Sequence, residues 1–337
     1  MRRLATILLG LVLFATPAFG QGLLQQVQER GRLVCGVNDQ LPGFGSVNEQ
    51  GEFEGFDVDF CRAVAAAVLG DANAVDFRPL SAQERFTAVQ TGEVDLLVRN
   101  SSWTSSRDSA LGLNFAPVTF FDGQGFMVPR DSGVQTLQDL RGLRIGVQVG
   151  TTTELNMADV LGALGVEYTP VTFETADQLV NAYDAGNVDA WTTDKSGLAS
   201  RLITLQDPEA HMIMDATISK EPLAPAVRHG DDQWYDVVKW VAFSIMEAEE
   251  YGITSENAQQ LYETSQNPSV RRILGAEPEN IEQLGLSATA MLDVITQVGN
   301  YGEIYDRNLG PDTPFDIPRG LNAQYYEGGL IFGMPVR

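Results

Sequence analysis

"TGEVDLLVRNS" (residues 91–101) and "AGNVDAWTTDK" (185–195) decide how this chain is organised. Each carries Gly, then Val-Asp, then an apolar run that gives way to small polar residues. Each is the last strand of a repeated pattern. Upstream of the first copy, "RLVCGV" (32–37) and "AVDFRPL" (74–80) read as strands. Between them "GFDVDFCRAVAAAVLG" (55–70) reads as a helix, with Phe56, Phe60, Val64 and Ala67 near helical spacing and Gly70 as its stop. "AQERFTAVQTG" (82–92) is a second helix. Upstream of the second copy the order repeats: "RIGVQVG" (144–150) strand, "TTTELNMADVLGALG" (151–165) helix, "EYTPVTF" (167–173) strand, "TADQLVNAYDAGN" (175–187) helix. Strand and helix alternating five times over implies parallel pairing in an α/β sheet, here built twice.

Two segments connect the halves, "FDGQGFMVPRD" (121–131) and "ISKEPLAPAVRHGDD" (218–232). Two crossings between two lobes are the wiring of a hinge. "QWYDVVKWVAFSIMEAEEYG" (233–252) is a strong amphipathic helix, and the chain ends in a Gly- and Pro-rich tail.

A length of 337 residues with 44% hydrophobic and 20% charged residues gives room for two domains. Residues 1–20 read as a cleaved secretory signal: Arg2 and Arg3, the apolar "LATILLGLVLF", then small residues, with the junction at Gly20–Gln21. The apolar run is short for a membrane span. The formal charge of −23 becomes more negative by two when the signal leaves. That balance argues against nucleic acid or an anionic membrane surface as a partner. The two cysteines, Cys35 late in a strand and Cys61 early in the next helix, can form one disulfide in an oxidising compartment; two buried free thiols are the alternative. Two thiols alone make no metal site, and no cofactor is expected.

In open α/β sheets ligands bind beyond the carboxyl ends of the strands. Residues 99–107, 150–153 and 193–195 all lie there. A zwitterionic amino acid needs fixed donors and a cation for its carboxylate, and Arg107 with Ser102 offers them. "GTTTE" (150–154) opens a helix, whose free N–H groups favour an anion, although Thr151 and Glu154 also have plain capping-box spacing. Asp194 is placed to take an ammonium; alone it would read as a helix cap.

These residues carry a resemblance. The chain is similar to the type II periplasmic solute-binding proteins that deliver polar amino acids to ABC transporters. The matching stretches are "GEFEGFDVDFCRAVA" (51–65), "NSSWTSSR" (100–107), "GTT" (150–152), Asp194 and "GNYGEIYDRNLG" (299–310), within a likeness over about 31–248 plus 299–310. It implies a two-lobe α/β fold, each lobe a mostly parallel sheet flanked by helices, joined by two hinge strands. Residues 21–127 with 223–337 would form one lobe and 128–222 the other, with 253–298 an insertion and 311–337 an added tail. It implies that Arg107, Ser102 and Thr152 hold the α-carboxylate, and that Asp194, Ser102 and Asn100 hold the α-ammonium. Arg85 matches the place where Glu- and Asp-binding members read the side chain; a surface ion pair is the other reading. Asn38 and Leu41 stand where relatives often have an Asp and an aromatic, which argues against a cationic ligand side chain. The wording of the loop and tail resembles the broad-specificity general L-amino-acid subgroup. The implied partners are an L-amino acid and an ABC permease with its cytoplasmic ATPase; the implied state is a periplasmic monomer.

Two other classes remain at this level. One is an exported dehydratase-like enzyme, for which Glu84 or Glu154 would be the nominee. The other is a ligand sensor for a separate receptor. No G-x-S-x-G, P-loop or H-E-x-x-H motif is present, and His211 and His229 are far apart in sequence.

Overall fold

The computed structural model describes residues 22–277 and 281–337. The signal segment 1–20 and its Gly20–Gln21 junction lie outside the described residues.

Each βαβαβ pattern folds into a five-stranded sheet. In the first, the order is Val75–Pro79, Leu33–Val37, Leu96–Leu97, Ala226–Arg228, Leu113–Phe115. In the second it is Thr169–Phe173, Arg144–Gln148, Ala190–Asp194, Gln124–Pro129, His211–Ile213. Three parallel strands head each sheet, and the remaining pairings are antiparallel. The sheets are therefore mixed, because the strands next to each crossing run back against the parallel set. The strand Gln124–Pro129 belongs wholly to the second sheet, so the first crossing lies at 120–123, ahead of the 127/128 division expected from sequence.

Local sequence explains the elements. The helix Phe56–Leu69 starts with Asp57 and Asp59 in its first turn and stops at Gly70, φ 74°, a left-handed position that glycine takes without strain. Asp59 accepts from Arg307 at 2.7 Å and from Asn308 at 2.7 Å, tying this helix to Tyr301–Leu309. Its other residues pack with Trp234, Val238 and Ile245 of the helix Asp232–Glu250 in the first-lobe core. Cys35 and Cys61 are joined as a disulfide between the first strand and this helix. Residues 253–298 pack against the same lobe: Met291 and Val294 enter its core, while Ile253, Ala258 and Ile273 build a satellite cluster.

The hinge is a separate two-stranded sheet in which Phe120–Asp122 pairs antiparallel with Glu221–Leu223, and Glu221 faces Asp122. The lobes meet across the cleft. Ser200 Oγ donates to Pro42 O, and Arg201 Nη2 donates to Gln40 O. Gly150, φ 74°, lies so near the other lobe that a Cβ there would stand 2.9 Å from Gln83 Cγ.

Candidate ligand cleft between the lobes

The chain leaves the strand Leu96–Leu97 and turns sharply. Asn100 sits at φ 31°, an uncommon backbone for a non-glycine residue. Two contacts hold it there, and a third fixes its partner Asn38. Its N–H donates to Asp57 Oδ2 at 2.6 Å, its Oδ1 accepts from Asn38 Nδ2 at 3.1 Å, and Asn38 Oδ1 accepts from Gln40 N at 3.0 Å. Burial pushes the Asp57 carboxyl up to about 7, against the lowering effect of the Asn100 N–H and Arg99. One amide bond thus joins Asn38 to Asn100, and Asn38 turns its own oxygen to the backbone of Gln40.

Three guanidiniums gather on this side. Arg99 is buried and donates from Nε to Leu80 O at 2.6 Å. Burial lowers it to about 10. Arg85 is 3% exposed, reaches Arg99 O with Nη1 at 3.5 Å, and has no partner for its Nε. Burial, then the charges of Arg99 and Arg107, hold Arg85 well below the usual arginine range. Arg107 donates from Nη1 to Ser102 O at 2.9 Å. The guanidiniums of Arg85 and Arg107 each lie 4.7 Å from the centre of the Phe86 ring, an attractive cation–π contact.

Three carboxylates face them. Asp194 occupies the residue before the helix Lys195–Leu202, where it would cap, yet its side chain makes no capping bond. It lines the cleft instead, and burial, followed by the charges of Asp122 and Glu221, raises it well above the usual carboxylate range. Asp122, on the hinge, accepts from Ser196 Oγ and from Ser196 N at 3.2 Å; burial pushes it up to about 6 despite those bonds. Glu221, also on the hinge and 2% exposed, accepts four hydrogen bonds. Oε2 takes Ser102 Oγ from the first lobe and Thr152 Oγ1 from the second, the latter at 2.9 Å. Oε1 takes Asn156 Nδ2 at 2.7 Å and Ser219 Oγ at 2.6 Å.

Cations on one wall and carboxylates on another suit a ligand with separated charges, since buried charges are costly unless paired. Farther along, the cleft is lined by Gln148, Leu179, Trp191 and Arg201; Trp191 Nε1 and Arg201 Nε are buried without a partner.

Of the residues singled out in sequence, Asn38, Arg85, Asn100, Ser102, Thr152 and Asp194 line this one cleft, as does Leu41. Arg107 lies beside it, against Ser102 and Phe86. Arg85 is no surface ion-pair residue. The hydroxyls of Ser102 and Thr152, assigned to a ligand carboxylate, are turned toward Glu221. Thr151 caps its helix through Glu154 N at 3.4 Å. Trp103 stacks on Phe115. His211 bonds Tyr183 at 2.8 Å in the second lobe, and His229 bonds Gly112 through its backbone. Arg99, which lines the cleft, and Glu221 and Asp122 on the hinge beside it were not singled out in sequence. Arg99 stood in the quoted loop, while Glu221 and Asp122 looked like ordinary hinge polarity. Among the described residues, no group of three or more His, Cys, Asp or Glu side chains is placed to hold a metal ion.

Residues 33–260 match the family described as bacterial extracellular solute-binding proteins, family 3. The chain belongs to that family. As a family 3 solute-binding protein it has close relatives. It is 50% identical over 316 residues to the general L-amino acid-binding periplasmic protein AapJ of Rhizobium johnstonii, covering 93% of this chain and 92% of that one. It is 46% identical over 314 residues to the glutamate/glutamine/aspartate/asparagine-binding protein BztA of Rhodobacter capsulatus, covering 93% of each. A solved periplasmic binding protein of an ABC transporter from Brucella ovis, with glutathione bound, superimposes with a TM-score of 0.92 at 49% identity, covering 94% of this chain and all of that one. These relatives are binding proteins by name, and the shared fold is the two-lobe periplasmic one. Among the described residues no helix is long and apolar enough to cross a membrane.

Proposed function

We propose that this family 3 protein is the periplasmic substrate-binding component of an amino-acid ABC importer. It takes L-amino acids between its lobes as a monomer, with a preference for glutamate, aspartate and their amides. The observation that carries this reading is the division of charge across the closed cleft: Arg85, with a buried and unpartnered Nε, and Arg107 on one side, Asp194 and its neighbours on the other. Arg107 pairs with the α-carboxylate, Asp194 with the α-ammonium, and Arg85 with an acidic or amide side chain. Asn38 and Asn100 keep the loop in shape beside the ligand. Leu41, in place of an aromatic, leaves that wall tolerant of several side chains. Because the ligand touches both lobes, it binds the closed state better than the open one, which is the condition for ligand-driven closure. The closed form then docks on a membrane permease driven by a cytoplasmic ATPase. The ligand leaves unchanged, so the protein is not an enzyme.

A second ligand fits the same head group. Glutathione carries a free α-amino and α-carboxyl pair on its glutamyl end, and the Brucella ovis relative holds it. The unpartnered Trp191 Nε1 and Arg201 Nε at the far end suit a longer polar ligand.

The test is to incubate mature protein with each amino acid and with glutathione, then recover and weigh the bound species by mass spectrometry. Recovery of intact L-glutamate, L-aspartate, L-glutamine or L-asparagine is expected. A dehydrated or cleaved product would replace this reading with an enzymatic one.

A further inference from the structure

We propose that the groove between the hinge strand and the C-terminal tail is a second binding site, one that takes an apolar carboxylate. Its volume is about 500 Å³, within the roughly 300–1,000 Å³ of small-molecule sites. It shares only Ser196 with the lining of the amino-acid cleft, so the inference stands apart from the amino-acid reading.

Three parts of the chain build the groove. The hinge contributes Phe120 and Phe121, the tail contributes Phe315, Ile317, Pro318 and Leu321, and the second lobe contributes Lys195, Ala199 and Lys220. The tail wall is fixed to the first lobe and the hinge. Tyr305 Oη shares its proton between the carbonyls of Ile317 and Pro318 at 3.2 Å each, and Asn322 bonds both backbone groups of Phe121. Leu321 is nevertheless 54% exposed. A fixed apolar side chain left facing solvent beside phenylalanines forgoes burial that a ligand's hydrocarbon would restore.

Charge says which kind of ligand. The chain has a formal charge of −23 and three lysines, and two of these, Lys195 and Lys220, line this groove. Lys195 donates once, to Asp215 O at 2.8 Å, which leaves two of its three N–H groups. Lys220 is exposed, and no hydrogen bond or ion pair engages it among the described residues. Arg319, also at the groove, is spent on Glu249 at 3.0 and 3.2 Å. Asp122 is bonded to Ser196, and Asp316 is exposed on the tail side. Free cations therefore stand on the second-lobe wall and apolar side chains on the tail wall. The matching ligand has a carboxylate at one end and an aromatic or branched hydrocarbon at the other. An ammonium next to that carboxylate would meet the two lysines, so the groove suits a plain acid and not an amino acid.

The test uses 3-phenylpropionate and its uncharged counterpart 3-phenylpropan-1-ol, titrated by calorimetry or ligand-observed NMR into wild type and into Arg107→Ala, whose cleft lacks its carboxylate partner. Saturable one-site binding of the acid is expected in both proteins, with the alcohol about fivefold weaker, the scale of an exposed ion pair. Adding Lys220→Glu or Leu321→Asp to Arg107→Ala should weaken the acid about tenfold, since each brings a negative charge to the groove. Both positions are exposed, so neither change disturbs the core. Binding in wild type that vanishes in Arg107→Ala would place the acid in the amino-acid cleft and overturn the proposal. Equal affinity for acid and alcohol, indifference to either added substitution, or no saturable binding at all would overturn it too.

Discussion

The side-chain amide of Asn322 clamps the backbone of Phe121: its Oδ1 accepts from the Phe121 N–H at 2.6 Å and its Nδ2 donates to the Phe121 carbonyl at 3.1 Å. Phe121 is the middle residue of the hinge strand Phe120–Asp122, whose other edge pairs with Glu221–Leu223. The tail segment therefore completes the hinge sheet with a side chain where another strand would stand. Arg319 braces the segment through Glu249 at 3.0 Å and lies over the rings of Tyr301 and Tyr305. Asn322→Ala leaves a backbone donor and acceptor without partners. It should destabilise the protein by about 1–3 kcal/mol, the cost of unmade buried hydrogen bonds. Thermal or urea unfolding reads this; an unchanged midpoint would mean that the clamp contributes nothing.

Asp194 should show opposite effects on binding and on stability. Burial disfavours its charge, and so do the neighbouring charges of Asp122 and Glu221. Asp194→Asn removes a buried, poorly solvated carboxylate, so the ligand-free protein should unfold at a higher temperature. The same change leaves a bound ammonium without its counter-charge and should weaken amino-acid binding by about 3–5 kcal/mol, as for other broken buried pairs. Loss of binding with no gain in stability would contradict the placement of Asp194 among like charges.

Stability should also depend on pH through Asp57. Its folded-state value is raised to about 7 from an unfolded value of 3.8. An acid raised in this way binds more protons folded than unfolded between those limits, so its contribution to stability falls as pH rises from about 4 to about 7. Asp57→Asn should flatten that part of the profile. The comparison is urea unfolding of wild type and variant at several pH values; parallel profiles would contradict the assignment.

Ligand binding should release protons. Asp122 is raised to about 6 by burial, with Asp194 raised beside it, and an incoming ammonium favours both ionised forms. Affinity should therefore increase as pH rises through about 6. Calorimetry near pH 6 in buffers of different ionisation heat measures the release directly. Zero release would mean that both carboxylates are already ionised before the ligand arrives.

The Cys35–Cys61 bond closes a loop with a sequence separation of 26 between the first strand and the helix behind it. Replacing both cysteines by serine should lower stability by roughly 2–4 kcal/mol. Equal unfolding free energies for the two proteins would show that the bond adds nothing measurable.

Much of the fold was legible because the strands are short, apolar and separated by helices that end in glycine. The helix at 55–70 is found at Phe56–Leu69, and the strand at 144–150 at Arg144–Gln148. The antiparallel strands were harder. Gln124–Pro129 and Ala226–Arg228 join sheets whose other members are distant in sequence, so periodicity alone does not show which sheet each one enters. The cleft was half legible for a similar reason. Arg107, Ser102, Thr152 and Asp194 follow strand ends, where position alone suggests a ligand. Glu221 sits in a hinge segment that reads as polar linker, and its importance comes from four donors spread over residues 102 to 219. Such convergence exists only after folding. The direction of the Ser102 and Thr152 hydroxyls followed from Glu221 and could not be read before it.

The central claim is that the cleft binds a zwitterionic amino acid through Arg107 and Asp194. The most direct measurement is calorimetric titration of mature protein, unfolded and refolded to strip carried ligand, with L-glutamate, L-aspartate, L-glutamine and L-asparagine, beside folded Arg107→Ala. The account predicts saturable one-site binding of these amino acids in mutual competition, abolished in Arg107→Ala. Full affinity in Arg107→Ala, or no binding of any amino acid to wild type, would contradict it.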